Sequence, residues 1–315
     1  MLKRAVVFVM LLSGCASQEE PQAEATTVVM LERDPEGQFN FTEFDYCSLK
    51  CKVKGEEHSA CDCKMRGQRT LVLDDLVQFR QDVLDKHNEL RNLFASGQET
   101  NKHLNRKTAS NMMVLNYDLE LEHIAKCYGG YFVTGHDKCR MTHDEIIVGQ
   151  NLAGYNAKEL NYHMIGIEKW YNEVRFINSP RYFFGAFDRK SPPTGKITHF
   201  TLFVWWSISR VGCARIWNPG NKILHNKYVI ICNYRAAAGL APGNMVKEHI
   251  FDVGPPCTKC PLNTTCNVKY NSLCGKHYPA PSDPIDPLST GKGSERLIPS
   301  QIIPLWALVA SLYFC

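Results

Sequence analysis

The chain has 315 residues, 44% of them apolar and 22% charged, and a formal net charge of +4. That balance is ordinary for a soluble globular protein. It contains neither a basic run nor an interleaved aromatic–basic patch, which excludes nucleic acid as the expected partner.

The N-terminus reads as a secretory signal over residues 1–16. Lys3 and Arg4 supply positive charge, Ala5 to Leu12 an apolar run too short to span a bilayer, and Ser13-Gly14-Cys15-Ala16 small residues for cleavage after Ala16. Leu12-Ser13-Gly14-Cys15 also fits a bacterial lipoprotein signal, which would place a lipid on Cys15. Residues 17–45 are polar and acidic and read as a flexible leader. Residues 46–70 form a Cys-dense segment too short for its own core, to be pinned by disulfides.

A main domain is expected over residues 71–250. Leu71 to Ser96 predicts an amphipathic helix, because Leu76, Phe79, Val83, His87, Leu90 and Phe94 recur at helical spacing and Gly97 follows as a stop. Tyr117 to Tyr131 predicts a second helix through Leu121, Ile124, Ala125 and Tyr128. Ala157 to Ile177 predicts a third through Leu160, Met164, Ile167, Tyr171 and Val174. Gly212 to Ile216 and Tyr228 to Tyr234 are short β-branched and aromatic runs around the turn signal Asn218-Pro219-Gly220-Asn221, a strand pair. Helices first and strands later indicate an α+β domain of about 200 residues. His87 and the Trp205–Trp206 pair are expected in the core rather than as ligands.

Residues 251–275 are a second Cys-dense extension, and 276–301 a linker rich in Pro and Ser. Residues 302–315 are apolar but interrupted by Pro304. They read as the removed tail of a glycosylphosphatidylinositol signal with Ser289 as anchor site, or as a docked C-terminal segment. Two sequons put candidate glycans on Asn40 and Asn263.

The chain has 14 Cys. Without Cys15 and Cys315 an even set remains, which in a secreted chain reads as disulfides. Cys257-Thr258-Lys259-Cys260 has the CxxC form of a zinc ligand pair, but no second pair follows at zinc-finger spacing. Cys127 and Cys139 are therefore disulfide partners rather than reactive thiols.

Six segments occur in a telling order: His87-Asn88-Glu89-Leu90-Arg91, Gly135-His136-Asp137-Lys138-Cys139-Arg140, Val148 to Ala153, Trp170-Tyr171-Asn172-Glu173, His199 to Trp205, and Tyr228 to Tyr234. Together they resemble the CAP superfamily of cysteine-rich secretory, antigen-five and pathogenesis-related proteins, over about residues 46–274. The segment from Cys47 to Cys51 and the forms around His136 and Gln150 point to the arthropod antigen-five, or venom allergen, branch. The resemblance implies a three-layer α-β-α sandwich around an antiparallel sheet. It also implies a short helix in Ile197 to Trp206, where the bulky side chains alone suit a strand. The disulfides it implies are Cys47–Cys61, Cys51–Cys139, Cys63–Cys127 and Cys213–Cys232, leaving Cys257, Cys260, Cys266 and Cys274 to pair among themselves.

The same resemblance implies a cleft of His136, Gln150, Glu173 and His199. Two imidazoles and a carboxylate (His136, Glu173, His199) are suitable ligands for a divalent ion such as zinc, whose bound water could attack a carbonyl. Gln150 stands where many superfamily members have Glu. An amide carries no charge and cannot act as a general base, so metal affinity should fall. No GxSxG elbow and no HExxH zinc motif is present, and Ser207 and Ser209 lie near His199 only in sequence. The expectation is a monomeric, secreted or membrane-tethered protein that binds a protein or small apolar ligand, with no required cofactor and no catalytic residue. Sterol or lipid binding and metal-dependent hydrolysis are the alternatives.

Overall fold

The computed structural model describes residues 34–35, 39–61, 63, 70–71, 76–130, 135–155, 162–180, 187–188, 194–217 and 228–282. The expected signal peptide, Ser289 and the apolar tail lie outside the described residues, as does the turn at Asn218 to Asn221.

Strand β1 is Thr70–Leu71, β2 Asn116–Tyr117, β3 Gly149–Tyr155, β4 Ile208–Trp217 and β5 Tyr228–Ala236. Helix α1 is Leu76–Ala95, α2 Leu119–Gly129, α3 Tyr162–Tyr171 and α4 Thr198–Phe203. The sheet runs β1-β4-β5-β3 with every neighbour antiparallel, and β2 joins β4 in parallel.

Alternation along β4 and β5 gives each face of the sheet its own partner. Ala214, Ile216, Val229 and Ile231 pack on Ala125 of α2. Val211, Cys213, Ile230, Cys232 and Tyr234 join the larger core with Phe79, Val83, Ile167, Phe200 and Phe203 from α1, α3 and α4. Helix, sheet and helix thus form three layers, an α+β fold.

Local chemistry sets the helix ends. Asp118 caps α2, accepting the Leu121 N–H at 3.1 Å. The chain leaves α1 at Gly97, whose φ of +74° suits glycine. The third helix is shorter than its periodicity predicts: it tightens into a 3₁₀ turn over Asn172–Phe176, and residues 156–161 lie outside the described ones. For Ile197 to Trp206, helix wins over the strand preference of its bulky side chains. Glu173 accepts the N–H groups of His199 and Phe200, at 3.0 and 3.1 Å, which pins the first turn of α4.

The core holds cations that periodicity does not reveal. Arg91 is wholly buried and faces no carboxylate among its hydrogen bonds. Its guanidinium donates to the carbonyls of Met113, Phe203, Trp205 and Ile208. It thereby ties α1 to the chain after α4 and to the start of β4. Arg80 lies in a fork with Glu122 of α2 at 2.7 and 2.8 Å, and Lys126 reaches the same carboxylate at 2.5 Å. Burial pushes the Glu122 carboxyl up, but Lys126 and Arg80 outweigh it and hold it below the ordinary carboxylate value.

Among the described residues six disulfides form: Cys213–Cys232 crosses β4 and β5 inside the core, and Cys47–Cys61, Cys51–Cys139, Cys63–Cys127, Cys257–Cys266 and Cys260–Cys274 staple the Cys-rich segments. Two expected boundaries move. The end of the expected leader is part of the folded unit: Phe41 is buried, Phe39 stacks on His143, and Asp34 pairs with Arg210. The first residues of the expected linker are docked too. Asn116 holds Lys276 and Tyr278, Gln81 accepts the Ala280 N–H, and Arg80 donates to the Pro281 carbonyl. These segments bring backbone partners for buried polar groups, a signal that composition does not carry. No helix among the described residues is long and apolar enough to cross a membrane.

Candidate functional site

Strand β3 lies at the end of the sheet path, and the cleft residues gather around it. Gln150 and Asn233 are cross-strand partners on β3 and β5. Asn233 donates through Nδ2 to the Leu121 carbonyl at 3.2 Å, which fixes its amide. Its Oδ1 accepts from Gln150 Nε2 at 3.1 Å, leaving Gln150 Oε1 to face His136 Nδ1 at 2.8 Å. An amide oxygen only accepts, so His136 carries its proton on Nδ1 and keeps the lone pair on Nε2. The loop bearing His136 is held by Arg140, which donates to Asp137 and to the Val148 carbonyl.

His199 is set in the same way from the other side. Its Nδ1–H donates to Glu173 Oε1 at 2.6 Å, while Glu173 Oε2 accepts the two α4 N–H groups described above. Its backbone carbonyl receives Asn151 Nδ2 at 3.2 Å, tying α4 to β3. Gly149 makes that approach feasible: a Cβ there would lie 2.7 Å from Leu202 Cδ1 of α4. In its neutral form His199 likewise has its lone pair on Nε2. His136 retains solvent contact, yet burial lowers its pKa, reinforced by the positive charge of Arg140 and of a protonated His199. The neutral ring is thus the favoured form near neutral pH.

The arrangement brings together the four residues expected in the cleft and gives them unequal roles. His136 and His199 each offer one nitrogen. Gln150 and Glu173 lie behind them and orient the rings, a pattern that suits metal-binding imidazoles. The three-residue set His136, Glu173 and His199 does not bring one donor atom from each within 4.8 Å of all the others, among the described residues. The groups that do, Cys63 with His123 and Cys127, and Cys257 with Cys260 and Cys274, have their sulfurs in disulfides. His87, as expected, is a core residue: it donates to the Val83 carbonyl at 2.7 Å and accepts from the Tyr234 hydroxyl at 2.9 Å. Trp205 is fully buried and Trp206 half-buried.

The profile of the Cysteine-rich secretory protein family (CAP) matches residues 84–234. Venom allergen-1 of Aedes aegypti is 30% identical over 240 residues, covering 73% of this chain and 87% of that protein. The chain belongs to the CAP family. A Venom allergen 5 of Vespula flavopilosa is 31% identical over 218 residues, 66% of this chain and 98% of that protein. A CRISP/Allergen/PR-1 protein of Trittame loki is 37% identical over 207 residues, 62% of this chain but only 47% of that protein. The chain spans about half the length of that relative. Among solved structures, Na-ASP-1 aligns with a TM-score of 0.48 at 24% identity, over 62% of this chain and 46% of that one.

Asn233 and Asn151 are the functional residues that the CAP motifs alone leave unread. Asn233 sits inside Tyr228 to Tyr234, among β-branched and apolar residues, and is wholly buried. A lone amide in an otherwise apolar strand is the signal that a buried partner awaits it.

Proposed function

We propose that this CAP protein works outside the cytosol by binding, and that its histidine pair is a weak divalent-metal site rather than a hydrolytic centre. One observation carries the reading: both oxygens of Glu173 are committed to His199 and to α4. A general base must reach the proton it removes, and neither this carboxylate nor the neutral Gln150 is left to do so. Zinc would be held by Nε2 of His136 and of His199 and would polarise a bound water; Gln150 and Glu173 keep those nitrogens aimed. Six disulfides support an oxidising compartment.

The test pairs calorimetry with turnover. Zinc chloride is titrated into the full chain and into the His136→Ala, His199→Ala double variant, and both are assayed on activated esters. Binding lost in the double variant, with equal background hydrolysis, supports the proposal. Zinc-dependent ester cleavage that disappears in the double variant overturns it.

A further inference from the structure

A second cluster lies away from the cleft, where the N-terminal Cys-rich segment meets α2. His123 and Cys127 are four residues apart on α2 and so share one helix face. His123 Nε2 lies 3.4 Å from Cys127 Sγ, and Cys127 is bonded to Cys63. Phe41 and Tyr46 hold the imidazole, with ring centroids 4.9 and 5.8 Å away. The two residues differ in burial: Cys127 is buried, whereas Cys63 is partly buried and retains some solvent contact.

Thiol–disulfide exchange depends on which sulfur can be reached and how well the other leaves as a thiolate. Cys127 sits in the last turn of α2, where the helix dipole opposes negative charge, so an unaided thiolate there would leave poorly. A histidine N–H beside the sulfur reverses that disadvantage. Cys63 Sγ also lies within 4.8 Å of a His123 nitrogen, so the imidazole flanks both sulfurs of this bond. Cys266 Sγ instead lies 2.9 Å from the Asn271 carbonyl and Cys257 Sγ 3.5 Å from that of Leu273, where a thiolate would be repelled. Cys213 and Cys232 are fully buried.

We propose that Cys63–Cys127 is a modification site for small extracellular thiols, activated by His123. The incoming thiolate attacks Cys63 Sγ and forms a mixed disulfide there. The Cys63–Cys127 bond breaks with its electron pair on Cys127, and His123 stabilises that thiolate or passes it a proton, which solvent returns. One disulfide replaces another, so the step needs no oxidant beyond the protein's own bond.

The experiment exposes the full, folded chain to reduced glutathione, quenches with acid and locates adducts by peptide mass spectrometry. The expected adduct is on Cys63, with Cys127 free. His123→Phe, which keeps a ring against Phe41 and Tyr46, should slow adduct formation about tenfold while leaving the Cys257–Cys266 rate unchanged. An unchanged rate at Cys63 overturns the proposal. So does an adduct on Cys127 in the unmutated chain, a result that does not depend on the variant folding.

Discussion

Gln150→Glu introduces a carboxylate into the cleft, and the structure predicts that it destabilises the protein. In the native arrangement Gln150 Nε2 donates to Asn233 Oδ1 at 3.1 Å, and Asn233 is fixed by its bond to the Leu121 carbonyl at 3.2 Å. A carboxylate keeps the bond from His136 but turns its second oxygen against Asn233 Oδ1. Rotating the Asn233 amide moves the conflict to the Leu121 carbonyl, so one acceptor–acceptor contact persists either way. Gln150 and Asn233 are 5% and 0% exposed, so water offers little relief. Leaving such a buried acceptor unpaired costs about 1–3 kcal/mol. The loss depends on pH with a definite sign. Protonating His136 gives the introduced carboxylate an ion-pair partner, so the folded pKa of His136 is higher in the variant than in the native chain. That stabilisation is present at low pH and lost as pH rises through the raised value. Urea denaturation at pH 8 should therefore show the variant about 2 kcal/mol less stable than the native chain, with a smaller gap near pH 5. Zinc affinity should move the other way, rising about tenfold, because a charged residue behind His136 makes Nε2 a better ligand. Stability at pH 8 equal to the native chain's would refute the claim that Asn233 is committed to an amide.

Three further outcomes follow from other polar groups. Arg91→Lys should lower stability by about 3–5 kcal/mol, read as a large fall in Tm by circular dichroism, because an ammonium cannot reproduce a fork serving four carbonyls. His87 has its pKa lowered to about 3 by burial, with Arg91 adding to the effect. A neutral native histidine costs stability as pH falls below about 6.5, and the cost grows until pH reaches the folded value. His87→Phe should lose about 1–3 kcal/mol at pH 7.5 by leaving the Tyr234 O–H without its histidine acceptor, yet show a flatter decline between pH 6 and pH 4. Asp85 of α1 gathers Lys269 and Tyr270 at 2.6 and 2.7 Å and Gln81 at 2.8 Å, so Asp85→Asn should speed hydrogen exchange across residues 269–278 while leaving β4 and β5 protected; unchanged exchange in that segment would count against Asp85 as the latch.

The pattern of what could be read in advance has a physical basis. Apolar spacing located α1 and α2 because each presents one face to a packed core, a local property of the chain, but Leu71 and Tyr117, expected to open them, lie in β1 and β2, where sheet pairing rather than periodicity decides. The strand pair was legible for the same reason, although β4 begins at Ile208 and β5 ends at Ala236, beyond the apolar runs that announce them. Periodicity alone did not find β3, since Gly149-Gln150-Asn151 interrupts its alternation with the polar residues that serve the site. The motifs supplied His136, Gln150, Glu173 and His199, but a motif does not say which atom points where. Glu173 illustrates the gap. By residue type it is a ligand or a base. By position it is the cap of α4 and the orienting partner of His199 at once, two tasks set by a helix that its own bulky sequence does not favour. Removing the Glu173 carboxylate should therefore loosen a helix and a histidine together, which is why this residue stabilises the fold and tunes the site through the same two oxygens.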